Sequence, residues 1–121
     1  MGKKINFGRL MLQIARQYPD KEALVNIERN RRLTFMQLHH LTNKMCNMMK
    51  ERFGMGRGDV YLNILENDST SIFSFWMLKQ EASAAWANYR DSLKEHLWMV
   101  DFIKPKLVFI ENVKLKEYYA P

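Results

Sequence analysis

The chain has 121 residues, 47% of them apolar and 26% charged, with a formal net charge of +6. That composition excludes a disordered segment, and the length allows one domain or a piece of a larger one. No apolar run approaches the roughly 20 residues of a membrane-spanning helix, and Cys46, the single cysteine, excludes an internal disulfide or a thiolate zinc cluster.

In chain order, the first ten residues, MGKKINFGRL, contain no apolar stretch of secretory length and place Asn6 where a myristoylation signal wants Ser or Thr. With the lone cysteine they fit a reducing compartment: intracellular, cytoplasmic or peripheral on the cytoplasmic face of a membrane. Residues 7–17 put Phe7, Leu10, Met11 and Ile14 on one helical face, and Pro19 and Asp20 end that helix. EALVNIE (22–28) and RRLTF (31–35) are short apolar runs around a polar link and predict a small hairpin. Thr34 then opens a long helix, where its hydroxyl and Gln37 form a capping box. Leu38, Leu41, Met45, Met49 and Phe53 make its apolar stripe, and Gly54 follows where a left-handed cap is needed.

The second half alternates. VYLNILE (60–66) predicts a strand, and STSIFSFWMLKQ (69–80) a helix apolar nearly all round and therefore well buried. SAAWANY (83–89) predicts a strand, SLKEHLWMVDFI (92–103) a helix capped by Ser92 and Glu95, and KLVFIE (106–111) a third strand, with something further beginning at Asn112. The expected fold class is α/β: helix, small hairpin and helix over 1–57, then a β-α-β-α-β unit with a parallel sheet over 58–121. A parallel sheet wants cover on both faces, and so few helices supply little of it. The whole of 1–121 therefore looks like an incomplete part of a larger domain.

Charge is uneven. Residues 1–57 carry 12 Lys/Arg against 4 Asp/Glu, and residues 58–121 carry 7 against 9. A basic half is compatible with an anionic surface, although a solvated face is the commoner cause. The basic run ERNRR (28–32) has no interleaved aromatic residues, so nucleic acid is not expected as a partner.

The glycine cluster at Gly54, Gly56 and Gly58 suggests a phosphate loop. A dinucleotide loop must follow a strand and open a helix, whereas these glycines follow a helix and open a strand, at the wrong spacing and without a Lys-Ser or Lys-Thr pair. They read as a helix cap and a turn. His39 and His40 are adjacent on a helix and point about 100° apart, and His96 has no partner at ligand spacing, so no metal site is expected. Cys46 sits mid-helix beside the apolar stripe and reads as a small hydrophobe, although a Cys–His nucleophile is the alternative. Glu66, Asp68, Asp91 and Glu111 fall near strand ends, where open α/β sheets place their sites. Asp68 and Asp91 also suit helix starts. The nine methionines with Phe73, Phe75 and Trp76 read as core rather than as a lipid-facing groove.

Taken together, YPDKEALVNIE, RRLTFMQLHHLTNKM, GRGDVYLNILEND and FWMLKQEASAAWANYRDSLKEHL resemble, in order and spacing, the N-terminal part of acyl-CoA synthetases. These are AMP-forming adenylate ligases, akin to firefly luciferase and peptide-synthetase adenylation domains. Pro19, Asp20, Leu33, Thr34, Phe35, Leu38, Asn43, Gly58, Asp59, Asn67, Leu78 and Lys79 match the recurring pattern. AAWANYR and HL are similar to the very-long-chain acyl-CoA synthetase and fatty-acid transport branch. Glu81 departs from the pattern, standing where the family has glycine, and the stretch after Asn88 is a residue or two short.

The resemblance implies an acid–thiol ligase that uses ATP and Mg²⁺ to turn a fatty or other carboxylic acid into an acyl-adenylate and then transfers it to CoA. The family's Ser/Thr/Gly-rich loop with Lys, aromatic-Thr-Glu segment, ribose-binding Asp and late catalytic Lys have no counterpart in 1–121. No catalytic, cofactor-binding or metal residue is therefore expected in this segment, and on its own it should be inactive. Its expected partner is the rest of its own ligase domain; self-association of the isolated segment and peripheral membrane association are also compatible. Two alternatives stand beside this: a small basic α/β module for nucleic acid or a membrane surface, and a stand-alone interaction protein derived from the ligase fold.

Overall fold

The computed structural model describes residues 6–118. Helix α1 (Phe7–Gln17) is capped by Asn6, whose side chain accepts from the Arg9 N–H at 3.2 Å. Strands β1 (Glu22–Asn26) and β2 (Arg31–Thr34) pair antiparallel, and Asn30 takes φ +48° in the turn between them. Asparagine tolerates that left-handed conformation better than most residues. Helix α2 (Phe35–Phe53) begins with the expected capping box. The Gln37 N–H donates to the Thr34 hydroxyl at 3.1 Å, and the Gln37 side chain accepts from the Thr34 N–H at 2.9 Å. It ends at Gly54 with φ +61°, whose N–H returns to the Lys50 carbonyl.

The glycine cluster is a turn. The Asp59 N–H closes onto the Gly56 carbonyl at 3.0 Å, the Asp59 carboxylate accepts from the Gly56 N–H at 2.8 Å, and Gly58 has φ +89° between them. A side chain at Gly58 would be strained by that φ, which is why glycine belongs there. From this turn the chain enters β3 (Val60–Ile64), α3 (Ser69–Trp76), a 3₁₀ turn (Met77–Lys79), β4 (Ser83–Trp86), α4 (Leu93–Ile103), β5 (Leu107–Ile110) and α5 (Asn112–Tyr118). Ser92 and Glu95 cap α4 reciprocally.

The three later strands form one parallel sheet in the order β4-β3-β5. Because β3 feeds β4 on one side and β4 feeds β5 back across it, right-handed crossovers put α3 and α4 on opposite faces. Side-chain packing agrees. Tyr61 shares a core with Met49, Met55, Met77 and Ala82, flanked by Met45, Met48, Leu107 and Phe109. Leu62 and Ile64, on the other face, pack with Ala87, Met99, Val100, Ile103, Val108 and Ile110. Met49, Met55 and Met77 are core, as expected, and Met45, Met48 and Met99 pack against it.

Several elements are shorter than the periodicity predicts. The 69–80 helix tightens into a 3₁₀ turn after Trp76, and it is not buried all round: Ile72 is 41% and Phe75 54% exposed. The strands at 60–66, 83–89 and 106–111 keep only four or five ladder residues each, and the outer residues join the loops. In the α2 stripe Leu38 and Met49 are fully buried, but Phe53 is exposed because the helix overruns the layer it covers. Glu81 needs no left-handed backbone. The 3₁₀ turn and an extended Gln80 (φ −85°, ψ 169°) bring the chain to β4, so glycine is not required there.

Candidate functional site

All three loops that leave the parallel strands emerge at one edge, the carboxyl ends of β3, β4 and β5, where open α/β sheets form ligand crevices. A cleft of about 560 Å³ lies there, lined by Leu65, Glu66, Asn67, Ser71, Phe75, Trp86, Asn88, Tyr89 and Arg90. Phe75 and Trp86 stack as its wall, with ring centroids 5.2 Å apart. A second cleft, about 750 Å³, continues from Glu66 and Asn67 past Asp68 to the β1–β2 hairpin.

The carboxylates predicted near this edge are brought together only in part. Glu66 lines both clefts. Asp68 ties the hairpin to the sheet: it accepts from the Asn26 side chain and forms an ion pair with Arg29 at 2.7 Å. Asp91 stands one residue before the expected Ser92 cap of α4, at the helix start. Glu111 follows β5, and its Oε1 is buried with no hydrogen-bond partner among the described residues.

His96, read from the sequence only as lacking a metal partner, and Lys114, which that reading did not single out, hold the edge in shape. The buried His96 ring bonds the Asn88 carbonyl at 2.7 Å, which fixes the β4–α4 loop. Lys114, buried, sits 5.5 Å from the Tyr89 ring centroid and reaches Glu117 at 3.4 Å. Each lies in the helix that follows a strand, His96 in α4 and Lys114 in α5. The Ser71 hydroxyl donates to the Glu66 carbonyl at 2.6 Å, so it is not presented to a general base. The cleft can orient a polar group between aromatic walls, but among its described residues it assembles no nucleophile–base pair.

The other candidates lie elsewhere, where His39, Cys46 and Lys79 line one further cleft. Lys79, in the Leu-Lys pair, donates to the Thr42 hydroxyl at 2.8 Å and the His39 carbonyl at 3.2 Å, and so staples the 3₁₀ turn to α2. Burial holds its ammonium below the usual lysine range. Burial first, and then the charges of Lys79, His40 and Arg16, lower the His39 imidazole below its ordinary value. His39 meets Asn43 at 3.2 Å, while its Nδ1 is buried with no hydrogen-bond partner among the described residues. Among those residues no group of three His, Cys, Asp or Glu side chains could hold a metal ion.

Cys46 lies against the Met77 carbonyl, and burial pushes its thiol up against a smaller opposing pull from Lys79. It is therefore a poor nucleophile. At pH 8 it should react with a disulfide reagent at least about tenfold more slowly in the native chain than in urea. Equal rates would show that the α2 packing is wrong.

No protein-family model and no curated protein sequence matches the chain. Solved structures do match in fold. The N-terminal domain of FACL13 from Mycobacterium tuberculosis matches with TM-score 0.83 at 22% identity, over 98% of this chain and 31% of that one. The anthranilate CoA ligase AuaEII, solved with anthranoyl-AMP, matches with TM-score 0.84 at 18% identity, over 95% of this chain and 22% of that one. A benzoate CoA ligase from Burkholderia xenovorans LB400 matches with TM-score 0.83 at 12% identity, over 93% and 23%. The chain thus has the fold found in part of these ligases and spans less than a third of their length.

Proposed function

We propose that the chain is the N-terminal part of an AMP-forming acid–thiol ligase that activates a carboxylic acid as its adenylate and passes it to CoA. What supports the reading above all is the fit of nearly the whole described fold, TM-score 0.83 over 98% of the chain, to such a domain. It is joined by the ordered motifs from Pro19 to Lys79 that resemble the same enzymes. The matched proteins are named for fatty acyl, benzoate and anthranilate groups, which share a carboxylate to be joined to CoA. A fatty acid is our preferred substrate, in line with the similarity of AAWANYR (84–90) and HL (96–97) to the very-long-chain branch. The place of action we propose is the cytoplasm or the cytoplasmic face of a membrane; among the described residues no helix is long and apolar enough to cross one.

The residues here do not fit ATP or Mg²⁺. The glycine turn opens a strand rather than a helix, and no metal-holding group is present among the described residues. No chemical step is assigned to them. The segment's part is to scaffold the larger domain. Helix α4 supports that role, because it carries apolar side chains on three sides, with Trp98 64% and Phe102 75% exposed and stacked on each other. A helix apolar all round belongs in an interior, and uncovered surface of this kind also favours self-association of the isolated chain. The test is the length of the natural polypeptide, read by mass spectrometry of the endogenous protein. A mass several times that of the 14.5 kDa chain is expected; a mature natural protein of this mass would refute the reading.

A further inference from the structure

The amino ends of β3 and β4 border another cleft, of about 580 Å³, between α1, α2 and the 3₁₀ turn. Along α2 its wall runs His39, Asn43, Asn47 and Lys50, each three or four residues after the last, so one polar face of the helix lines it. Met55, ahead of β3, and Lys79, ahead of β4, put it at the edge of the sheet opposite the Glu66–Arg90 cleft.

The charges on this wall do not cancel. Lys79 and Lys50 line it, and neither makes an ion pair among the described residues. Glu81, the one carboxylate among the lining residues, is exposed and pairs with neither. Two Lys79 N–H groups go to neutral acceptors, the Thr42 hydroxyl and the His39 carbonyl, and no described acceptor takes the third. Burial strips that ammonium of part of its hydration. Helix α1 adds to the imbalance. A Cβ on Gly8 would stand 3.1 Å from the Lys79 Cβ, so the first turn of α1 lies against the lysine stem, and that turn holds no acidic residue. The amino end of a helix carries partial positive charge. His39 is only 9% exposed; Asn43 meets its Nε2 at 3.2 Å, and its Nδ1 is buried with no hydrogen-bond partner among the described residues. A half-buried cation without a counter-charge, beside a buried ring nitrogen without a partner, is a pattern that a bound oxyanion completes.

We propose that this cleft binds the oxyanion of a small organic acid or phosphate ester through the Lys79 and Lys50 ammonium groups, with Leu12 and Met55 as the apolar wall for its carbon part. The volume falls in the roughly 300–1,000 Å³ range of small-molecule pockets, so the oxyanion is the head of a larger molecule. The site stands independently of the ligase reading, because it uses none of the residues at the carboxyl edge.

Nuclear magnetic resonance titration of the histidine rings in the 121-residue chain tests it, with inorganic phosphate and butanoate as probes and chloride holding the ionic strength constant. An anion beside Lys79 favours the charged imidazole, so the His39 midpoint should rise saturably by at least about half a pH unit. His96, at the opposite edge, should stay fixed. A response to phosphate alone names the ester, to butanoate alone the acid, and to both the oxyanion in general. Lys79→Met should weaken binding at least about tenfold. Glu81→Gln removes the competing carboxylate from an exposed position and should tighten it about twofold. A gain in affinity does not come from misfolding, so Glu81→Gln decides even if Lys79→Met fails to fold. No saturable shift at His39 with either probe, an equal shift at His96, or unaltered binding in Glu81→Gln would overturn the proposal.

Discussion

Replacing Leu62 with alanine is expected to lower the stability of the chain by roughly 2–5 kcal/mol, the cost of emptying a fully enclosed leucine site. Leu62 has no exposed surface. It sits mid-strand in β3, flanked by Ala85 and Val108 in register and covered by Met99, Val100 and Ile103. Strands on both sides hold its backbone, so the surroundings cannot collapse into the void. Native domains of this size hold only about 5–15 kcal/mol in all, so the variant should unfold at much lower urea concentration or fail to accumulate. Leu97→Ala is the internal control. That side chain is half exposed on α4, and its loss should cost well under half as much. Equal losses from the two, read from urea midpoints at unchanged slope, would mean that the Leu62 face is not a core.

Alkaline pH should destabilise the chain through Tyr61. Burial, with a lesser contribution from Cys46, pushes the phenol up to about 12, against about 10 in an unfolded chain. Between those values the unfolded state releases the proton and the folded state keeps it, so folding stability is whole below pH 10 and falls as pH rises toward 12. The difference amounts to about 2–3 kcal/mol. Tyr61→Phe removes the titration and leaves the ring that meets Phe109 edge-on at 5.9 Å. Its lost hydrogen bond to the Ser74 carbonyl is a long one, 3.5 Å. The stability gap between parent and variant should therefore shift steadily over pH 10–12 in favour of phenylalanine. A gap independent of pH would show that Tyr61 is solvated in the native state.

Much of this architecture was legible because local chemistry and global fold agree. The Thr34–Gln37 and Ser92–Glu95 boxes, the left-handed Gly54 and the order of strands and helices are all written in short-range signals. The rejection of the glycine cluster as a phosphate loop rested on the same logic, since a loop's role follows from the elements it joins. Strand ends were overrun because apolar residues such as Leu65 and Ala87 continue the pattern after the ladder stops. The tightening of α3 at Met77 has no local cause. It comes from Lys79 being drawn to Thr42 and His39, a contact across 37 to 40 residues.

The site was less legible than the fold. Asn88, Tyr89, Arg90 and Lys114 converge only when the sheet is formed. His96 looked like an isolated histidine because its partner, the Asn88 carbonyl, is a backbone atom that no side-chain spacing reveals. Four of the residues that carry the ligase resemblance have local structural partners: Thr34 caps a helix, Gly58 and Asp59 make a turn, and Lys79 staples two elements.

Carboxylate-dependent ATP–pyrophosphate exchange is the measurement closest to the central claim. It should be run on the natural polypeptide and on the 121-residue chain with fatty and aromatic acids. The account predicts exchange in the natural polypeptide with at least one acid and none in the 121-residue chain. Exchange sustained by the short chain alone, or its absence from the folded natural polypeptide with every carboxylic acid offered, would contradict it.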